Sequence, residues 1–245
     1  MGKKTAYLLV FHGSRDPRPQ KAVSRLAELV IENLTSLGEN SPQVATAALE
    51  LGNFPLNESI RQVAWQGQNQ GCKRLKILPL LLLPGVHVEE DIPAEVALAA
   101  EFLGEEIELE LLAYLGSYGG MINLLAKQFA QLPATEGRIL LAHGSRRLGA
   151  NLLIEAIAFQ LQAMPAFWAV SPSLTEQVMG LITAGKRDIA ILPYFLFSGG
   201  ITEAIAAQCT QLQLSFPQTQ LFLGELYSQH RELASLITSI LTVSH

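Results

Sequence analysis

Two segments of the chain occur twice in nearly the same form, and this internal repeat limits the possible folds. Residues 11–15 (FHGSR) return as residues 142–146 (AHGSR), and residues 78–82 (LPLLL) return as residues 192–196 (LPYFL). Such a repeat predicts two copies of one structural unit. A chain of 245 residues is long enough for two domains with separate cores. Pro and Gly in residues 132–137 predict a boundary there, giving domains of residues 1–134 and 135–245.

Short apolar runs alternate with longer segments of helical period in both halves. Val23, Leu26 and Val30, for example, recur at intervals of three or four residues. A strand followed by a helix, four times in each half, predicts an α/β fold: two tandem four-stranded parallel sheets, each with helices on both faces, and a cleft between the domains. The predicted strands are residues 6–11, 43–49, 75–83, 107–113, 138–142, 167–170, 189–197 and 220–223. Pro79 and Pro193 lack a ladder donor, which predicts an edge position or a bulge.

The composition argues against several classes of protein. No uninterrupted apolar run approaches the roughly 20 residues of a membrane span. Residues 1–5 lead directly into a strand-like segment without a secretory signal, which predicts a cytoplasmic protein. Cys72 and Cys209 lie at non-equivalent positions in the two halves and indicate neither a disulfide framework nor a cysteine metal site. A net charge of -5 argues against nucleic acid as a partner.

The two halves differ in one histidine and one acidic residue. His87 ends residues 83–87 (LPGVH), whereas the matching residues 197–201 (FSGGI) end in Ile201. Glu50 ends the second predicted strand, and residues 168–171 (WAVS) of the second half contain no acid. The first half therefore contains a pair of histidines and a carboxylate that the second half lacks.

His12, Glu50 and His87 all follow predicted strands of the first half. Ligands of open parallel sheets bind beyond the carboxyl ends of the strands, so these three side chains are predicted to share one edge. Two imidazoles and a carboxylate are a reasonable ligand set for a first-row divalent metal ion, with coordination positions left open for a substrate.

The His12 turn and the acidic residues after His87 also have a structural explanation. His-Gly-Ser recurs at residues 143–145, so it could be a preferred strand-to-helix turn in which Ser14 or Asp16 caps the helix. The acidic residues 89–91 after His87 are typical of the first turn of a helix, where they complement the helix dipole. His87 itself has no such explanation.

The HGSR opening, the strand end at residues 49–51 (LEL) and the Pro-Gly-Val-His-Val and Asp-Ile-Pro segments around His87 resemble the class II tetrapyrrole chelatases. Within that class, the whole chain is similar to the two-domain sirohydrochlorin cobaltochelatases and ferrochelatases. The resemblance implies an enzyme that inserts cobalt or iron into sirohydrochlorin, with the divalent ion as a substrate and no tightly bound cofactor. It implies that His12 and His87 handle the metal and that Glu50 is the active-site acid, all in the N-terminal domain.

The same resemblance implies a degenerate site in the C-terminal domain. Ser14, Arg15 and Gly85 are candidate contacts for the tetrapyrrole. Short members of the family act as homodimers, and the fusion of two halves would let a monomer reproduce the dimeric arrangement. The ligand set accepts either cobalt or iron, as well as nickel, because affinities for these ions follow a general order that no single site readily overturns.

Two other functions would use some of the same residues. A non-catalytic carrier of metal or tetrapyrrole would need both histidines but no proton acceptor. A hydrolase built on Ser14 and His12 would need a separately placed base and a third orienting group, because adjacent residues do not form a triad. The chain also contains no nucleophile elbow, P-loop or dinucleotide glycine pattern.

Overall fold

The computed structural model describes residues 4–227 and 231–243 and contains one four-stranded parallel sheet in each repeat. The first sheet has the order β2-β1-β3-β4, with β1 at Thr5–Phe11, β2 at Gln43–Ala48, β3 at Arg74–Pro79 and β4 at Glu108–Leu111. The second has the order β6-β5-β7-β8, with β5 at Gly137–Ala142, β6 at Met164–Phe167, β7 at Asp188–Pro193 and β8 at Gln220–Leu223. The predicted tandem α/β fold is confirmed, because both repeats have the same strand order.

Helices connect the strands in the predicted alternation. They are α1 Pro17–Ser36, α2 Leu56–Asn69, α3 Ile92–Leu103, α4 Gly120–Gln131, α5 Leu152–Gln160, α6 Leu174–Thr183, α7 Gly200–Ser215 and α8 Arg231–Thr242. A π-helical turn, His87–Asp91, leads directly into α3, and a 3-10 turn, Leu115–Ser117, precedes α4. Among the described residues, no helix is both long and apolar enough to cross a membrane.

Both faces of the first sheet are covered. Ala6, Leu8 and Val10 of β1 pack in one core with buried residues of α2 and α3. The alternate β1 residues, Tyr7 and Leu9, are buried as well and therefore face the opposite side of the sheet. There α1 packs against β1 and β2, and α8 packs against α1. Burial on both faces explains why β1 is a continuous apolar run without alternation.

The chain folds into two compact units whose bounds differ from those of the repeats. One unit contains the described residues up to Tyr118 together with those after Tyr227, and the other is Gly119–Tyr227. Helix α4, which ends the first repeat, therefore belongs to the second unit, and α8, which ends the second repeat, belongs to the first. The predicted division into residues 1–134 and 135–245 does not coincide with these units, because the last helix of each repeat packs in the other unit.

Lys76 of β3 joins α8 to the first unit. Its side chain is buried, and its Nζ donates hydrogen bonds to the carbonyl oxygens of Leu241 at 2.9 Å and Val243 at 2.8 Å. The last carbonyls of a helix lack partners within the helix and lie at the negative end of its dipole. The C-terminal end of α8 therefore provides acceptors for a buried ammonium group.

The structure corrects the prediction for the strand prolines. Pro79 and Pro193 are the last residues of β3 and β7, which lie inside their sheets, so neither an edge strand nor a bulge is involved. The strands end there, and residues 80–83 and 194–197 are not part of them. β6 also begins three residues earlier than predicted and contains Pro165, which is tolerated because β6 is an edge strand.

Candidate metal centre

Both histidines of the first half lie at the carboxyl edge of the first sheet. His12 directly follows β1, and His87 begins the π-helical turn after β3. These strands are neighbours in the sheet, with Val10 opposite Pro79, so their carboxyl ends lie side by side. In the order β2-β1-β3-β4, the chain adds β2 on one side of β1 and then adds β3 and β4 on the other side. Open parallel sheets bind their ligands at such a topological switch point, here the carboxyl ends of β1 and β3.

The imidazole rings of His12 and His87 are in contact. Their centroids are 4.8 Å apart, and the rings meet edge to face at 82°. Nδ1 of His12 lies 3.2 Å from the carbonyl oxygen of Gly13, and Nδ1 of His87 lies 2.6 Å from Oδ2 of Asp91. A carbonyl or carboxylate oxygen can only accept, so the hydrogen bonds assign the proton of each neutral ring to Nδ1. Nε2 of each ring is left with the lone pair that a metal ion requires.

Asp91 contributes to the site in a way that sequence analysis missed. Its position predicts an ordinary acidic residue of a helix first turn, yet its carboxylate accepts the hydrogen bond from His87. The available signal was the spacing of four residues, which places two side chains on the same face of a helix. The two residues also begin and end the π-helical turn, a form of helix that is frequent at functional sites.

Glu50 is held next to His12 through the backbone. Its amide nitrogen donates to the carbonyl oxygen of His12 at 2.9 Å. β2 ends at Ala48, so Glu50 lies in the bend after the strand and does not close it. Its exposed side chain lines a pocket of about 330 Å³ together with Asp91 and Glu95. The predicted carboxylate therefore lies at the expected edge of the sheet.

The described part of the chain contains no preformed three-residue ligand set. Within residues 4–227 and 231–243, no three His, Cys, Asp or Glu side chains are arranged to hold one ion. His12 and His87 are brought together, while Glu50 has an exposed side chain whose position is not fixed by the sheet. Coordination of one ion by all three residues remains a prediction.

The candidate substrate contacts have local structural roles. Oγ of Ser14 accepts a hydrogen bond from the amide of Asp16 at 3.0 Å. The carbonyl oxygen of Gly85 accepts from the amides of residues 88 and 89, both at 2.9 Å, at the start of the π-helical turn. Arg15 is exposed next to His12 in the sequence. Contacts of Ser14, Arg15 and Gly85 with a substrate remain a prediction.

Helix α1 begins immediately after the His12 turn, and Asp16 is its N-cap. The Asp16 carboxylate accepts a hydrogen bond from the backbone amide of Arg18 at 2.9 Å. Pro17 occupies the first helical position. Of the two caps that the sequence allows, the structure selects Asp16. Hydrogen bonds from the side chain and then the backbone of Arg18 hold the pKa of the Asp16 carboxyl below its usual value. The cap therefore stays charged at neutral pH.

Tyr114 follows β4 at the same edge of the sheet. Partial burial and the negative charge of Glu89 raise the pKa of its phenol above the usual value. The hydroxyl group therefore stays protonated at neutral pH and adds no charge to this edge.

Gly13 allows the turn between His12 and α1. Its φ is +94°, and a Cβ at this position would lie 1.8 Å from the carbonyl oxygen of Glu50. We expect Gly13→Ala to lower the free energy of unfolding by more than about 2 kcal/mol, because left-handed backbone strain is combined with a backbone clash. Urea denaturation measures this loss.

Gly38 supplies a matched control for that variant. It has the same φ of +94°, but a Cβ there would meet no atom within 4 Å. Gly38→Ala should therefore lower the free energy of unfolding only by the cost of the left-handed backbone conformation, about 1 kcal/mol. Equal losses in the two variants would show that the close approach of Glu50 to Gly13 contributes nothing.

The second unit preserves the turn at the corresponding edge of its sheet. His143 follows β5, and Gly144 has a φ of +80°, as Gly13 has a positive φ in the first unit. A Cβ at Gly144 would lie 2.6 Å from the side chain of Phe167. The glycine of the repeated His-Gly pair is therefore required by the fold in both units.

The second unit does not preserve the other site residues. The amide of Ala169 donates to the carbonyl oxygen of His143 at 2.9 Å, as the amide of Glu50 does to that of His12. Ala169 thus occupies the place of Glu50, as the absence of an acid in this segment predicts. Ile201, in the first turn of α7, stands where the first unit has His87. His143 consequently lacks both counterparts of the first site.

The repeated sheets and the paired histidines define an α/β protein of two similar halves, with one histidine pair at the edge of the first sheet. The family model described as CbiX matches residues 6–132 and again residues 137–242. The chain belongs to the CbiX family.

Two known proteins of Priestia megaterium are similar over nearly the whole chain. A sirohydrochlorin ferrochelatase is 24% identical over 245 residues, which are 95% of this chain and 88% of the relative. A sirohydrochlorin cobaltochelatase is 22% identical over 245 residues, which are 94% of this chain and 76% of the relative. The solved structure of SirB from Bacillus subtilis with Fe3+ has a TM-score of 0.76 at 22% identity and covers 97% of this chain and 94% of its own. This likeness confirms the fold.

Proposed function

We propose that this protein is a sirohydrochlorin chelatase, an enzyme that inserts cobalt or iron into the free-base tetrapyrrole. The contact between His12 and His87 supports this function most directly. Both rings have Nε2 free for a ligand, and both lie where a parallel sheet binds its substrate. The relatives named as ferrochelatase and cobaltochelatase support the same reaction. The site is assigned to the N-terminal half, and the C-terminal half is a degenerate copy.

The reaction exchanges one dication for two protons. The metal ion loses water, the two pyrrolic N–H groups of the macrocycle lose their protons, and the ring nitrogens take up the ion. Neutral imidazoles bind first-row ions firmly enough to displace water, yet they release the ion to a stronger chelate. Nε2 of His12 and Nε2 of His87 are the proposed metal ligands. The Glu50 carboxylate balances the charge of the ion and accepts one pyrrolic proton, and the second proton is released to solvent.

The macrocycle itself is an anion with several carboxylates. Arg15 is the proposed partner of one of them, because its exposed guanidinium can form two parallel hydrogen bonds with a carboxylate. Ser14 and the Gly85 segment are proposed as further contacts, since they flank His12 and His87. One chain contains both repeats, so the proposed active form is a monomer. Light scattering of the purified protein tests this proposal.

Replacing Glu50 by glutamine separates the enzyme from the alternative, a non-catalytic carrier. A carrier needs the two histidines but no proton acceptor, whereas an enzyme loses its base. We expect Glu50→Gln to slow insertion by about 100-fold or more. Sirohydrochlorin binding should persist. Anaerobic absorption spectra of sirohydrochlorin with Co2+ and with Fe2+ measure insertion, and fluorescence titration of the tetrapyrrole measures binding.

Glu101→Gln is the matched control, because it removes the same charge from an exposed position of α3. It should insert metal at the wild-type rate. If the wild-type protein binds metal or tetrapyrrole tightly and yet inserts neither metal, that result would contradict the enzyme and favour the non-catalytic carrier. Wild-type rates in Glu50→Gln would remove Glu50 from the mechanism.

A further inference from the structure

We propose that Asp91 is a positioning residue that fixes the tautomer and the orientation of His87. This inference rests on the proposed function for its catalytic consequence, but the contact itself is independent of the reaction. The distance of 2.6 Å between Nδ1 of His87 and Oδ2 of Asp91 is short for a hydrogen bond. A charged acceptor makes such a bond about twice as strong as a neutral one.

The hydrogen bond decides which nitrogen of His87 can bind an ion. An ionised carboxylate accepts only, so Nδ1 must carry the proton and Nε2 must carry the lone pair. Without Asp91, an imidazole exchanges between its two tautomers and rotates about its side-chain bonds. Both losses reduce the fraction of His87 that presents Nε2 beside His12. A metal-binding histidine commonly donates its other N–H to a carboxylate for this reason.

The segment that contains Asp91 is itself held in place. Glu95, one turn further along in α3, accepts hydrogen bonds from the backbone amide of Asn57 at 2.8 Å and from its Nδ2 at 2.7 Å. Asn57 lies in the first turn of α2, where the N-cap residue Pro55 provides no side-chain cap. The Glu95 carboxylate therefore replaces the missing cap and attaches the start of α3 to α2. Asp91 is thus presented to His87 from a fixed backbone.

The neighbouring acids do not share this role. Glu89 and Glu90 lie in the same π-helical turn and are exposed, whereas Asp91 is the acid in contact with His87. Glu90 therefore offers a matched control: Glu90→Gln removes one negative charge one residue away without removing the hydrogen bond. A general effect of negative charge on the ion would appear in both variants. An effect of positioning appears only when Asp91 is changed.

The first measurement is cobalt binding to the metal-free protein, without tetrapyrrole. We expect Asp91→Ala to weaken Co2+ affinity by about 10- to 100-fold, as is typical for the loss of a carboxylate behind a metal-binding histidine. Asp91→Asn, which keeps the size and an acceptor oxygen but loses the charge, should give a smaller loss. Glu90→Gln should change the affinity by less than about twofold. Circular dichroism checks that each variant is folded.

The second measurement is the tautomer of His87, which a general loss of packing would not shift. Long-range proton–nitrogen spectra of 15N-histidine-labelled protein, with His87→Ala to assign the signal, report the protonated ring nitrogen. The wild-type ring should be in the Nδ1–H form, and Asp91→Ala should populate the Nε2–H form. Unchanged tautomer and cobalt affinity in Asp91→Ala would overturn the inference, as would equal affinity losses in Asp91→Ala and Glu90→Gln. The wild-type protein could insert no metal while Asp91→Ala still shifts the tautomer of His87. That result would refute the proposed function and leave this inference standing.

Discussion

Replacing either His12 or His87 by alanine should lower metal insertion into sirohydrochlorin by about 100-fold or more, while His143→Ala should retain most of the activity. His12 and His87 form one contact pair, so the loss of either ring removes one of the two proposed imidazole ligands. His143 recurs in the second unit, but the matching positions are Ala169 and Ile201. Anaerobic spectrophotometry with cobalt, iron and nickel in turn measures the three variants.

His143→Ala is itself the matched control, because it removes the same side chain from an equivalent exposed turn. Chemical denaturation should give similar stabilities for all three variants, since none of His12, His87 and His143 is buried. Equal loss of activity in all three would show that the two halves share the chemistry. It would contradict the assignment of a single site to the first half.

Ending the chain after Tyr227 should prevent the first unit from folding, although the first repeat would remain intact. The deletion removes α8, whose buried apolar residues are Leu233, Ala234, Ile237, Ile240 and Leu241. Loss of that burial costs on the order of 10 kcal/mol, which is comparable to the whole stability of a typical domain. It also leaves the buried ammonium of Lys76 without its two carbonyl acceptors. Circular dichroism and amide hydrogen exchange measure the result.

A chain ending at Val243 is the control for this deletion, because it keeps α8 and both acceptors of Lys76. It should unfold like the full chain. A synthetic peptide of residues 228–245, added to the chain that ends at Tyr227, should restore protection of β1 and β3 from hydrogen exchange. A truncated protein with wild-type stability would show that α8 contributes little to the first unit.

The repeat in the sequence predicted the architecture because both copies keep the residues that the fold requires. Gly13 and Gly144 retain positive φ angles, and the strands of both halves retain their apolar runs. The prediction of one site at the first sheet rested on residues that the second half lacks. The contact between His12 and His87 followed from their positions after two strands, and those strands are adjacent.

Other features depend on contacts between distant parts of the chain and had no local signal. Helical periodicity predicts that α8 is amphipathic, but it does not specify which sheet the helix covers. Lys76 lies in a charged segment that is typical of an exposed strand entrance, yet it is buried because α8 ends above it. The hydrogen bond of Asp91 was hidden because acidic residues at the start of a helix have a common alternative explanation.

Because α8 belongs to the first unit, that unit cannot complete its folding until α8 has been synthesised. During synthesis, β1 to β4 and the helices between them leave the ribosome long before residues 231–242. Until those last residues appear, the surface of α1 that will receive α8 stays uncovered, and Lys76 has no acceptor at the end of α8. The half that contains the candidate metal centre is translated first, but its packing is completed last.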